Sequence, residues 1–270
     1  MNERGSAEKA GWSAGAVSEF AGQFAAGQMV GDRHEQEDDF AVLDLSHGQH
    51  ERLLFVLADG MGGHAAAADV AHSAVTRFRE FVKDAVGPLS LRLQPALAAT
   101  NAAIAVSIVR DESRKGAGCT LLAAAIEDRT LSWISVGDSS LLLFRNKRLQ
   151  RLNADHSMRP VLSRLVAAGR LSAGMASRDP RRHSLRSAVT GGEIPHICSA
   201  PEPFMLLPGD CVILASDGLE TLSSRSIASI LKRTAGMNSL AVVQHLLKAT
   251  RAGGSRNQDN TTIIVHRVAR

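Results

Sequence analysis

The strongest constraint in this chain is how its apolar runs end. Arg52 to Ala58 (RLLFVLA) reads as a buried strand and stops at Asp59-Gly60. A second run (CVILAS) stops at Asp217-Gly218, and Asp259-Asn260 stands just before the β-branched stretch Thr261 to Val268. Asp138 lies in the turn-like VGDSS, and Glu37, Asp38 and Asp39 crowd against FAVLDL. A carboxylate at the end of an apolar strand is costly unless something compensates it. Two explanations meet these residues. Asp-Gly pairs are ordinary turn formers and need no further reason. Alternatively, acids from distant parts of the chain converge on one oxygen-ligand site for a hard divalent cation such as Mg²⁺ or Mn²⁺. Spacing does not choose between them.

The remaining pattern is that of an α+β layered domain. Helices are expected from His64 to Lys83 and from Ser90 to Arg110, with Pro95 marking a first turn or kink in the second. Cys119 to Ile126, Thr130 to Val136 and Leu141 to Arg145 read as a strand meander, with Arg148 to Leu152 as a fourth member. Residues 156–190 read as irregular and rich in arginine. Strands are expected again at Ile194 to Ser199 and Asp210 to Ala215, then a helical pair at Ser224 to Arg233 and Ser239 to Arg251. Strand groups separated by helix pairs argue against regular βαβ alternation. Residues 1–18 read as a loose leader before a single domain at 19–270.

Composition excludes several classes. The net charge of +4 is too small to imply nucleic acid by itself, and a chain with no Tyr and 4% aromatics offers no base-stacking platform. Cys119, Cys198 and Cys211 are far apart and odd in number, which suggests buried thiols in a reducing cytosol rather than a zinc knuckle or disulfide frame. Neither a signal peptide nor a membrane span is visible, so the expected setting is cytoplasmic.

Seven blocks occur in a telling order: RHEQED (33–38), LFVLADGMGGH (54–64), GCTLLAA (118–124), ISVGDSSLLLFR (134–145), ADHS (154–157), LPGDCVILASDGL (207–219) and QDNTTIIV (258–265). Together they resemble the bacterial metal-dependent Ser/Thr protein phosphatases of type 2C, over nearly the whole chain from Gly27 to Val268. The resemblance implies a four-layer α/β/β/α body, in which a central sandwich of antiparallel sheets is flanked by helix pairs, with a flap at about 156–190. It implies a site for two, or with Asp138 three, Mg²⁺ or Mn²⁺ ions at one edge of the sandwich. Asp59 would bridge two metals, the Gly60 carbonyl would bind one, and Asp217 and Asp259 would hold the other. Glu37 and Asp38 match the family's early acidic pair. Arg33 matches the arginine that contacts the substrate phosphate. The implied reaction is hydrolysis of phosphoserine and phosphothreonine on proteins by a metal-bridged hydroxide, opposing a bacterial Ser/Thr kinase. The implied protein is a monomer without nucleic-acid or membrane partners.

Departures from the pattern matter too. Met61 stands where animal and plant members carry a histidine proposed as general acid, and His64 is the nearest substitute, unless it only starts a helix. Gln36 replaces the usual Asn, and Asp69 would have to stand in for a Glu. Asn260 reads as a supporting residue rather than a ligand. Between Arg159 and Arg186 lie seven arginines against one acid, Asp179, more positive charge than the whole chain's balance. A positive flap would steer phosphorylated segments toward the site, and a merely solvated loop is the other reading. Two rival functions keep the fold: a phosphoprotein-binding pseudophosphatase, which loss of the metal acids would signal, and a phosphatase for an anti-anti-sigma-type regulator.

Overall fold

A computed structural model describes residues 17–20, 23–62, 64–253 and 257–269, without the side chains of 17–20, 64 and 65. In chain order the elements are β1 (Val17–Phe20), β2 (Phe24–Met29), β3 (Asp38–Asp44), β4 (Arg52–Met61), α1 (His64–Asp84), α2 (Leu89–Arg110), β5 (Gly118–Cys119), β6 (Leu121–Glu127), β7 (Thr130–Val136), β8 (Ser140–Arg145) and β9 (Arg148–Arg151). Then follow α3 (Arg159–Ala167), α4 (Ala173–Arg178), β10 (Cys198–Ser199), β11 (Phe204–Met205), β12 (Cys211–Ala215), a 3₁₀ turn (Asp217–Thr221), α5 (Ser224–Arg233), α6 (Ser239–Ala252) and β13 (Thr261–Arg267).

Two antiparallel sheets face each other. One has the order β1-β2-β13-β12-β8-β9; the other runs β10-β7-β6-β4-β3, with β11 also on β7 and β5 on β4. The expected four layers are present, because each sheet is buried on both faces. Along β4, Leu54, Val56 and Ala58 pack with α1 and α2, including Phe78 and Leu97, while Leu53, Phe55 and Leu57 enter the sandwich. Along β12, Val212 and Leu214 point inward, and Ile213 and Ala215 meet Ile227, Val243 and Leu246 of α5 and α6. Two-sided burial is why these strands read as unbroken apolar runs rather than alternating ones. Burying a side chain such as Phe55 contributes about 2–3 kcal/mol.

Local chemistry sets the joints. Asp128-Arg129 and Asn146-Lys147 all have positive φ, the requirement of the tight turns that join β6 to β7 and β8 to β9. Ser223 and Asn238 cap α5 and α6 by accepting from Ser226 N and Ala241 N. The start of α2 has no such cap; a carboxylate from β6 serves, with Leu89 N donating to Glu127 Oε2 at 3.1 Å.

Some sequence expectations need correction. The 156–190 segment is not all irregular: it holds α3 and α4, of which only α3 buries a residue, Leu162. The expected strand at Ile194 to Ser199 shrinks to β10, and β11 was not foreseen. The Cys119 strand is split at Thr120, whose backbone N donates to Asp59 O at 2.8 Å while its hydroxyl accepts from Asp59 N at 3.0 Å. Cys119 and Cys211 are buried thiols, but Cys198 is only half-buried. Of the expected leader, residues 1–16 lie outside the described residues, and Val17 and Ser18 already belong to β1. Among the described residues no helix is long and apolar enough to cross a membrane.

Candidate active site

Strand register makes the first contact. β3 and β4 pair so that Asp38 lies directly opposite Asp59. Beyond that pair β4 continues to Met61, with Gly60 opposite Cys119 and Gly60 N donating to Glu37 O at 3.1 Å. Asp59-Gly60 is therefore no turn. Gly60 is needed for close packing: a Cβ there would sit 2.6 Å from Ala67 O and 2.7 Å from Glu37 O. Gly218 has the same reason, since a Cβ would fall 2.1 Å from Asn260 O. The glycines after both acids let neighbouring backbones approach, which turn chemistry alone would not demand.

The second sheet supplies the other acids. Asp217 follows the end of β12 and Asp259 precedes β13, strands that are paired neighbours. Hydroxyls from both stitch the sheets together: Ser216 Oγ and Thr262 Oγ1 donate to Asp38 Oδ2 at 2.8 and 2.7 Å. Asn260 ties the entering chain down, accepting from Glu37 N and donating to Val30 O and Glu35 O. Asp138, buried between β7 and β8, is tied in through Ser139, whose hydroxyl is 2.9 Å from Thr120 Oγ1, itself bonded to Asp59 N. Ser216 and Thr262 were not singled out in the sequence; they lie 178 and 224 positions from Asp38, with no local signal of the contact.

These acids act on one another's charge. Burial first, and then the charges of Asp38, Asp217, Asp138 and Asp259, push the Asp59 carboxyl well above the usual range. Asp38 is raised to about 7 by burial, against the pull of the Thr262 and Ser216 hydroxyls. Asp217 is raised to about 7 by burial and then by Asp138, Asp259 and Asp38. For Asp138, burial raises the pKa more than Arg159 lowers it. Burial works against the Arg33 charge, but Asp259, Glu37 and Asp217 outweigh it and hold its pKa above the ordinary value.

The protein's own donors partly occupy these acids. Arg33 Nη2 is 2.6 Å from Asp259 Oδ2, and Arg159 Nη2 is 3.5 Å from Asp138 Oδ2. Arg159 also meets Asp155 at 3.2 Å and pairs with Glu220. Among the described residues no three His, Cys, Asp or Glu side chains are already drawn into a metal-holding group. The residues nonetheless fit a hard cation. Asp38 Oδ1 is buried without a hydrogen-bond partner, and the acids whose charges act on Asp38, Asp59 and Asp217 offer oxygen donors only. The His64 side chain lies outside the described residues. His156 is an internal brace, accepting from Gly137 N, while His72 sits 3.0 Å from Asp39.

Comparison with known proteins identifies the family to which this two-sheet sandwich belongs. A sequence model of the family described as protein phosphatase 2C matches residues 27–252, so the chain belongs to that family. It is 31% identical over 220 residues to the serine/threonine protein phosphatase PstP of Mycobacterium tuberculosis, covering 78% of this chain and 40% of that protein's length. It is 28% identical to the serine/threonine phosphatase stp of Listeria monocytogenes, over 86% of this chain and 90% of the relative. The structure of the PstP catalytic domain in complex with two manganese ions superimposes with a TM-score of 0.72 at 28% identity, over 92% of this chain and 98% of that one.

Proposed function

We propose that this protein is a divalent-metal-dependent phosphatase of phosphoserine and phosphothreonine on proteins, working against a Ser/Thr kinase in the cytoplasm. The observation that supports this reading is the register that sets Asp38 opposite Asp59, with Ser216 and Thr262, neighbours of Asp217 and of the Asp259-Asn260-Thr261 stretch, reaching across to the Asp38 carboxylate. The membership in the protein phosphatase 2C family supports it, as does the manganese in the PstP structure.

In this reading Asp59, with the Gly60 carbonyl, and Glu37, Asp38, Asp217 and Asp259 hold two Mg²⁺ or Mn²⁺ ions, and Asp138 with Asp217 serves a third. Bound there, such ions supply an acidified water and draw charge from phosphoryl oxygens. The chain's own part is positioning. Arg33 is half exposed and Asp259 engages its Nη2, and in this reading the other donors of its fork bind the substrate phosphate. Ser216 and Thr262 fix Asp38, and Thr120 fixes the backbone on both sides of Asp59, so the carboxylates keep their places while charge moves. The domain is read as residues 19–270, extended back to Val17 by β1, with about 156–190 as its flap.

The test is release of phosphate from a phosphothreonine peptide. Turnover is expected with Mn²⁺ and none in excess EDTA; full activity in EDTA, or no turnover with any divalent metal, overturns the reading.

A further inference from the structure

We infer that the groove between α3 and the segment leading into β10 docks acidic residues that flank the phosphorylated side chain of a substrate protein. This deepens, and rests on, the phosphatase reading above. The groove has a volume of about 1030 Å³ and a floor that includes Asp155 and His156. That floor is bonded to the turn carrying Asp138: His156 N donates to Gly137 O at 3.1 Å, and Gly137 N donates to His156 Nδ1 at 3.2 Å. A polypeptide lying in the groove is thus next to the acidic site.

The charge of the groove selects its occupant. Arg164 on α3 is exposed, and its guanidinium meets no carboxylate among the described residues. Arg186 Nη2 lies 2.7 Å from His196 Nε2, so its partner is an imidazole and not a carboxylate. The groove's one acid is already spoken for. Asp155 Oδ1 accepts from Ser157 N and Oγ at 2.8 and 2.6 Å, and Oδ2 faces Arg159 Nε at 3.2 Å. Two guanidinium forks without a balancing anion, beside the exposed apolar Ile197, suit carboxylate side chains on a peptide. Complementary charge of this kind acts on encounter and KM rather than on the chemical step.

The test uses the whole chain and the variants Arg164→Gln and Arg164→Gln/Arg186→Gln. Phosphothreonine peptides with glutamate flanks are compared with alanine-flanked ones and with p-nitrophenyl phosphate. Wild type is expected to favour the glutamate-flanked peptide through KM, and Arg164→Gln to raise that KM by roughly fivefold, the double variant more. Turnover of p-nitrophenyl phosphate is expected to stay within about twofold. A fluorescent glutamate-rich peptide lacking phosphate reads docking by anisotropy even if nothing is hydrolysed, which separates failure of the groove from failure of the phosphatase reading. Its affinity is expected to fall in Arg164→Gln, an exposed site whose replacement leaves the fold intact. Equal KM changes for all peptides, or unchanged anisotropy binding in both variants, overturns the inference.

Discussion

Arg33 Nη2 and Asp259 Oδ2 are 2.6 Å apart although 226 positions separate them in the chain. The sequence assigns the two to different tasks, one to phosphate and one to metal; folding makes them partners. One guanidinium nitrogen is thereby held by Asp259, and the charges of Glu37 and Asp217 act on the same group.

Arg33→Ala and Arg33→Lys are therefore expected to separate activity from stability. The pair is exposed, with 54% and 37% of the side chains accessible, so its loss costs under about 1 kcal/mol. For a phosphopeptide, Arg33→Ala is expected to raise KM by about tenfold or more, and lysine, lacking the planar fork, to restore little of it. Steady-state kinetics beside thermal melts decide this; an unchanged KM in Arg33→Ala refutes the role.

The acidic cluster links metal binding to pH. Asp38 and Asp217 have folded pKa values near 7, above the ordinary carboxylate range, so the metal-free fold binds more protons than the unfolded chain between about pH 4 and 7. Stability of the metal-free protein is therefore lost as pH rises through that window, and a cation should return it. At a Mn²⁺ concentration a hundredfold over its Kd, about 2.7 kcal/mol is expected. The melting temperature should thus rise by several degrees at pH 8 and by much less at pH 5. A Mn²⁺ shift that is equal at both pH values contradicts this.

Asp59→Asn removes a carboxylate whose charged form is disfavoured first by burial and then by four neighbouring acids. The variant is expected to melt higher than wild type without metal, to lose the Mn²⁺ shift, and to fall in turnover by at least about a hundredfold. Calorimetric titration with Mn²⁺ checks it directly; normal uptake with normal turnover excludes Asp59 from the metal site.

His266 gives a separate acid-side effect. It is 2% exposed, with Nδ1 unpartnered and its ring centroid 5.8 Å from that of Phe55, and burial lowers its pKa to about 4. Its contribution is complete above about pH 6.5 and is lost as pH falls toward 4, on the order of 3 kcal/mol in all. A His266→Phe variant is expected to flatten urea stability over that range, and an unaltered pH slope rejects the assignment.

Gly60→Ala and Gly218→Ala test close packing beside the acids. Each added Cβ meets backbone oxygen at under 3 Å, so about 1–3 kcal/mol of destabilisation is expected together with impaired activity. Denaturant midpoints that match wild type would show that these backbones yield freely.

Periodicity carried the main elements into view. Thr130–Val136 and Ser224–Arg233 were legible to the residue, because a buried β-branched run and an amphipathic turn pattern are local properties. α3 and α4 were not: they are 9 and 6 residues long, and only Leu162 is buried, so they leave almost no apolar stripe to read. The two-residue strands β10 and β11 depend on an edge offered by β7, which no local pattern announces.

By itself the sequence showed which acids stand beside which apolar runs, and through the order of its motifs the family that it resembles. That Asp59-Gly60 is not a turn was settled only in three dimensions. There β4 runs on past Asp59, and Gly60 is packed against Glu37 and Ala67. Tertiary structure also decided what shares the acids: Ser216 and Thr262 on Asp38, Arg33 on Asp259, Arg159 on Asp138. The reason is physical. A strand's apolar pattern is fixed by its own neighbours in the chain, whereas a carboxylate's charge is balanced by whatever the register of two sheets carries to it.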